Sequence, residues 1–181
     1  MRILITILLM IAVVTPAAAY KPNSIETHPL TFISSLVELR YERAINGKFG
    51  VMGEFGYGFK PILFINDGGD DYDWQILEFA GEGKFYPGGN YRGVYIGGEV
   101  EYMRISNTYK PSDSSTTTSI IFPSVLIGYK WVLSDAIPIN VGVGGGYISI
   151  SGDGSSGGST ENLFKTSGLW IAGEFTFGFT F

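Results

Sequence analysis

Ionisable side chains in this chain recur on one parity of a two-residue alternation. Glu38, Glu42, Glu54, Glu78, Glu82, Glu99, Glu101 and Glu174 share it, with Arg40, Lys84 and Lys130. Eight acids and three bases on one enclosed face must pair, hydrate or neutralise, because an isolated buried charge is too costly to keep. The plain expectation is a charge network that fills an interior and fixes strand register. A sharper one is an acidic lining for a narrow cation-preferring path. Paired carboxylates also permit general acid/base chemistry. Nothing in the spacing separates that from packing, so no catalytic residue, cofactor or metal is expected, and the chain does not read as an enzyme.

The remaining candidates are weaker. His28 is the only histidine; it precedes Pro29 in a terminal segment, with Ser34 and Ser35 nearby, and a solvated, non-catalytic role is expected. Asn66-Asp67-Gly68-Gly69-Asp70-Asp71-Tyr72-Asp73 gathers oxygen ligands but lacks the spacing of an EF-hand loop, so it reads as a solvated acidic loop. Gly142–Gly146 contains GxGGG, with no helix following to make a phosphate cradle. Cysteine is absent, which removes disulfides, thiolate metal sites and thiol catalysis together.

The elements that would hold these residues are strands. Phe49, Val51, Gly53, Phe55, Tyr57 and Phe59 alternate with Gly50, Met52, Glu54, Gly56, Gly58 and Lys60. The same period-2 pattern runs through about 74–86, 94–105, 121–131, 139–148 and the stretch ending at Phe181. Near the start, Ile33, Val37, Leu39 and Tyr41 oppose Glu38, Arg40 and Glu42. A first strand is harder to place. Pro22 and Pro29 weaken one before Ile33, and Ser34-Ser35 offers a turn ahead of Leu36. The expected fold is all-β: an antiparallel up-and-down transmembrane β-barrel of eight strands. Single-chain bacterial barrels take even strand numbers.

Connections alternate in length. Short turns fall near 44–48, 87–92 and 134–138, and longer polar loops near 61–73, 106–118 and 151–165. Short turns on one side and long loops on the other suit periplasmic and extracellular ends. Period alone does not say which face meets lipid. The polar face, glycine-rich and crowded with Glu, suits a small barrel interior, where space is limited. The glycines at Gly142, Gly144 and Gly146 would widen the lumen or make room for Arg40 or a tyrosine. Tyr41, Phe49, Phe85, Tyr129, Trp131 and Phe181 would form one aromatic rim, and Tyr57, Phe59, Tyr102 and Tyr147 the other, with aliphatic residues and glycine between.

The composition agrees with a membrane barrel. Charged residues make up only 16%, glycine numbers 26, and Phe and Tyr number 13 and 11. A net charge of -5 excludes the basic face that nucleic-acid binding needs. Arg2, the apolar run from Ile3 to Val14 and Ala17-Ala18-Ala19 read as a signal peptide over 1–19, leaving a barrel domain over 20–181. The apolar run is too short for a spanning helix, which needs ~20 residues.

With Tyr41-Glu42-Arg43 and Phe85-Tyr86-Pro87 before short turns, and Phe177, Phe179 and Phe181 closing the chain, the mature sequence resembles the small bacterial outer-membrane barrels of the OmpX, OmpW and OmpA-transmembrane types. The resemblance covers nearly all of the mature chain and rests on pattern. It implies location in the outer membrane after export, contact with outer-membrane lipid and lipopolysaccharide, and recognition of the terminal aromatic strand by the barrel-assembly machinery. A structural or surface-interaction role is expected. A narrow pore or an envelope-lipid-modifying enzyme are the alternatives.

Overall fold

A computed structural model describes residues 21–59, 72–112, 114–156 and 159–181. The expected signal peptide and most of the Asn66–Asp73 loop lie outside them. Eight antiparallel strands close into one ring in sequence order. They are β1 (Asn23–Thr27), β2 (Leu36–Ala44), β3 (Phe49–Gly58), β4 (Tyr72–Phe85), β5 (Gly93–Tyr109), β6 (Ser114–Leu133), β7 (Ile137–Ser156) and β8 (Ser159–Thr180).

The uncertain first strand exists and is five residues long, bracketed by the two prolines. Pro22 and Pro29 limit it because neither can donate to a ladder. After it, Pro29–Ser34 forms a 3-10 turn, and Ser35, at φ 58°, reverses the chain into β2. β1 pairs with β8 from Ser24↔Thr180 to Thr27↔Phe177 and so closes the ring. Stepping across paired residues from Ser24 through Glu42, Met52, Glu82, Glu99, Ser124 and Gly146 arrives at Trp170 of β8. Ser24 itself pairs with Thr180, so the stagger is 180 − 170 = 10 residues. A stagger of this order tilts the strands by roughly 35–45°.

The short turns sit where expected. Asn46 Oδ1 accepts from the backbone N–H groups of Lys48 (2.9 Å) and Phe49 (3.0 Å), which fixes the first. Ser134 and Asp135, at φ 50° and 57°, are the central residues of the turn between β6 and β7, which Ala136 N–H closes by donating to Leu133 O at 3.0 Å. Positive φ at both positions matches the twist of the flanking strands.

The other end departs from expectation. Residues 106–118 and 151–165 are not long loops. β5 and β6 stay paired up to Tyr109↔Ser114, and β7 and β8 up to Ser156↔Ser159. Their Ser, Thr and Gly composition suits loops and solvated strands alike, and the ladder decides for strands. The barrel wall is therefore uneven. β2 and β3 have 9 and 10 residues, whereas β6, β7 and β8 have 20, 20 and 22. Above Thr27 and Gly58, among the described residues, only β4–β8 continue as strands.

In the lower, closed part, Val37, Leu39, Val51, Phe55, Val100, Val125, Ile127, Val143 and Phe177 point outward and are exposed, while Glu38, Arg40, Glu42, Glu54, Glu78, Glu82, Lys84, Lys130 and Glu174 are buried inside. The ends of the outward band are aromatic, but its middle is not purely aliphatic. Phe55 and Phe79 stack there at 5.5 Å, and Phe175 and Phe177 line the same band. Phe85, Tyr129 and Trp131 are half-buried by neighbours, with Tyr129 and Trp131 only 4.5 Å apart.

Candidate functional site

Each strand delivers lumen residues at alternate positions, so the interior is built in layers. At the short-turn end, Tyr86, Tyr91 and Tyr95 are fully or almost fully buried with Ala44. Tyr86 lies 5.4 Å from Tyr91 and 5.8 Å from Tyr95. The backbone of the 86–92 turn tucks under the first turn, with Tyr86 N–H donating to Lys48 O (2.7 Å) and Tyr91 N–H to Gly47 O (3.2 Å). Burial, then the nearby Glu42 carboxylate, holds the phenols of the turn residues Tyr86 and Tyr91 well above the ordinary tyrosine range. Each therefore stays an O–H donor, and Tyr86 donates to Glu42 Oε1 at 2.8 Å.

A cationic layer sits against these rings. Lys130 Nζ lies 3.7 Å from the Tyr91 ring centre and Lys84 Nζ lies 4.7 Å from that of Tyr95. Lys130 contacts Glu42 (2.8 Å) and Glu26 (3.3 Å). Lys84 contacts Glu174 (2.7 Å), Glu82 (3.3 Å) and Glu42 (3.9 Å). Arg40 bridges Glu54, Glu174 (2.9 Å) and Glu99 (3.4 Å). Glu26 also accepts from Ser24 (2.6 Å), Thr176 (2.7 Å) and Asn140. Side chains from all eight strands thus join one network. Charge-assisted bonds of this kind repay desolvation only when nearly every partner is satisfied.

Glycine makes room for the network. A Cβ on Gly128 or Gly142 would strike the Tyr95 hydroxyl region, so these two glycines admit the ring whose O–H donates to Glu174. Sequence reasoning anticipated space for a tyrosine near Gly142 but did not single out Tyr86, Tyr91 or Tyr95. Two of these belong to a turn, where period-2 counting stops. It also missed Glu26, because the prolines obscured β1.

Higher up lies an acidic layer that shares Glu54 with the Arg40 cluster. Carboxylate oxygens of Glu38, Glu54 and Glu78 lie within 4.8 Å of one another. Glu101 is half-buried on the same face, two positions above Glu99. His28 is not solvated as expected. Its Nδ1 lies 3.3 Å from Glu38, and its Nε2 accepts the Phe175 N–H at 3.3 Å, extending the β1–β8 contact past Thr27. Both ring nitrogens are thus engaged. The terminal aromatics Phe177, Phe179 and Phe181 are exposed on the outer face.

Above the acids the alternation changes sign. Following Glu99 and Glu101, the lumen-facing residues of β5 become Met103 and Ile105. Those of β4 become Ile76 and Trp74, and those of β6 and β7 become Phe122, Ile120, Ile148 and Ile150. The outer face turns polar at the same height, with Arg104 and Ser106 beyond Tyr102, Ser119 and Thr117 beyond Ile121, and Ser149 and Ser151 beyond Tyr147.

Compared with family models, curated proteins and solved structures, the chain matches none.

Proposed function

We propose that this chain is an integral outer-membrane barrel with a sealed lower lumen, serving a structural or surface-interaction role. The observation that carries the reading is the polarity of the closed part. Large apolar residues face outward around the ring while charged ones are buried within it, the reverse of what water selects. Lipid is the medium that stabilises such a surface. The crossover at Tyr102, Ile121 and Tyr147, where outward residues become Ser, Thr and Arg, supports a membrane boundary at that height. The aromatic terminal strand and the signal peptide expected over 1–19 support the same location.

The packed tyrosines and ion pairs weigh against a conducting pore, since they fill the lower half of the lumen with side chains. The test is fractionation followed by comparison of unboiled and boiled samples on a gel. The protein is expected in the outer-membrane fraction with faster migration before boiling, and without single-channel conductance in planar bilayers. Recovery in a soluble fraction with no shift would overturn the reading.

A further inference from the structure

Among the described residues the lumen carries nine acids (the eight of the network reading plus Glu26) against Arg40, Lys84 and Lys130. Lys84 and Lys130 serve the lower layers, and Arg40 is shared by Glu54, Glu99 and Glu174. Glu38, Glu54 and Glu78 are left in acidic excess where β2, β3 and β4 run side by side, and all three are buried. Each comes from a different strand, so sequence spacing gives no sign of the group.

Glu78 is 4% exposed, and its Oε2 has no hydrogen-bond partner among the described residues. A buried carboxylate oxygen left unsatisfied is costly. Beside it is a hollow. Gly56 lies between Glu38 and Glu78 in register, with Glu54 one lumen position below it on β3. A Cβ on Gly56 would come within 2.9 Å of Glu78 Cβ, 3.2 Å of Glu78 Oε2 and 3.3 Å of Glu38 Cγ. Any side chain there would crowd the space toward which the two acids lean.

Carboxylate oxygens of the three acids lie within 4.8 Å of one another, so some point is no farther than 4.8/√3, about 2.8 Å, from all three. Calcium–oxygen distances are roughly 2.3–2.6 Å, which small side-chain movements reach from there. We propose that Glu38, Glu54 and Glu78 hold one calcium ion in the hollow beside Gly56. Oxygen-only donors select a hard cation. His28 adds no nitrogen ligand. Its Nε2 accepts the Phe175 N–H, so the ring proton sits on Nδ1, facing Glu38. Three carboxylates offer up to six oxygens, enough for calcium with few or no waters, whereas magnesium keeps several waters. The layer above is poor in them: Met103 stands directly across the ladder from Glu78, and buried Ile76 is one lumen position higher. A divalent ion also offsets more of the acidic excess than a monovalent one. The inference goes beyond the proposed role and requires only the closed ring, not its location.

The test refolds the protein (residues 20–181) from urea into zwitterionic micelles with calcium chloride, magnesium chloride or EDTA. The metal is supplied during refolding because the site is enclosed. After desalting, metal content is measured by mass spectrometry, and urea titration of the gel shift is run in each condition. About one calcium per chain and little magnesium are expected, with a higher urea midpoint in calcium than in EDTA, since an ion that binds only the folded state stabilises it. Glu78→Gln should weaken calcium affinity about tenfold and remove the rise in midpoint. Gly56→Ala, which fills the hollow without removing a charge, should do the same. The wild-type comparison stands even if a variant does not fold. Asp70→Asn with Asp71→Asn removes charge from the other acidic stretch of the sequence and should leave calcium content unchanged. Wild-type protein without calcium and with equal midpoints in calcium and EDTA overturns the proposal, and means the acids are neutralised by protons. Calcium retained equally by Glu78→Gln and Gly56→Ala, or lost in the Asp70/Asp71 variant, overturns it as well. Absence of any gel shift in the wild type counts against the barrel itself, whereas a normal shift without calcium counts against the ion site alone.

Discussion

The two halves of the lumen are built from the same alternation and filled in opposite ways. In the lower half, Arg40, Lys84 and Lys130 each meet two or more carboxylates, and three tyrosines close the mouth. In the upper half the acids outnumber their partners, and the lining above them is apolar. The lower half spends its polar groups on one another, which fixes register and shape. The upper half leaves Glu78 Oε2 without a hydrogen-bond partner among the described residues and lines its wall with Ile76 and Phe122, which are themselves buried.

Arg40→Leu breaks the contrast most severely. It leaves Glu54, Glu99 and Glu174 without their shared cation, and removing one member of a buried ion network costs about 3–5 kcal/mol. Urea titration of the heat-dependent gel shift should show that loss, and a change below ~1 kcal/mol would mean the acids are already neutral or hydrated. Next is Tyr86→Ala, expected to cost about 3 kcal/mol through the cavity it leaves. The same variant should admit ions through the lower mouth, so bilayer conductance absent from the wild type is the second readout.

The boundary between the halves is tested by moving one charge along β6. Val125→Arg places a cation in the outward apolar band and should cost about 2–4 kcal/mol in folding from urea into bilayers. Thr117→Arg, eight residues away on the same face, should cost roughly 0–1 kcal/mol. Equal penalties would erase the proposed membrane boundary. The smallest effect is expected from His28→Ala, which removes one bond to the Phe175 N–H and a contact with Glu38, worth about 1 kcal/mol. Its place in the test is to ask whether the contact between β1 and β8 ends at Thr27 or at His28.

Much of this was legible in the sequence because a strand's period is short and strict. Glu78, Glu82 and Lys84 could be put on one face by counting, and the Ser34-Ser35 reversal by residue type. The polarity change was harder. Met103 follows Glu99 and Glu101 on the same parity, and a reader following hydrophobicity rather than parity stops the strand at Ile105. Ser114–Ser119 then resembles a loop, since Ser and Thr serve turns and solvated strands equally. Which Glu meets which cation was not legible at all. Those partnerships depend on the ten-residue stagger of the ring, a property of all eight strands together.

The join between the first and last strands has a kinetic consequence. Four ladder pairs, extended by backbone bonds between Asn23 and Phe181 and by His28, hold β1 to β8, and they bring together positions as distant in sequence as Ser24 and Thr180. The other neighbouring hairpins along the chain can zip locally, while this contact must wait until the rest of the sheet has curled round. Glu26, reaching Asn140 on β7 and Thr176 on β8, then acts as a latch across the join. The slow step of assembly and the first step of opening are expected at this same short stretch, with the latch setting how long the ring stays shut.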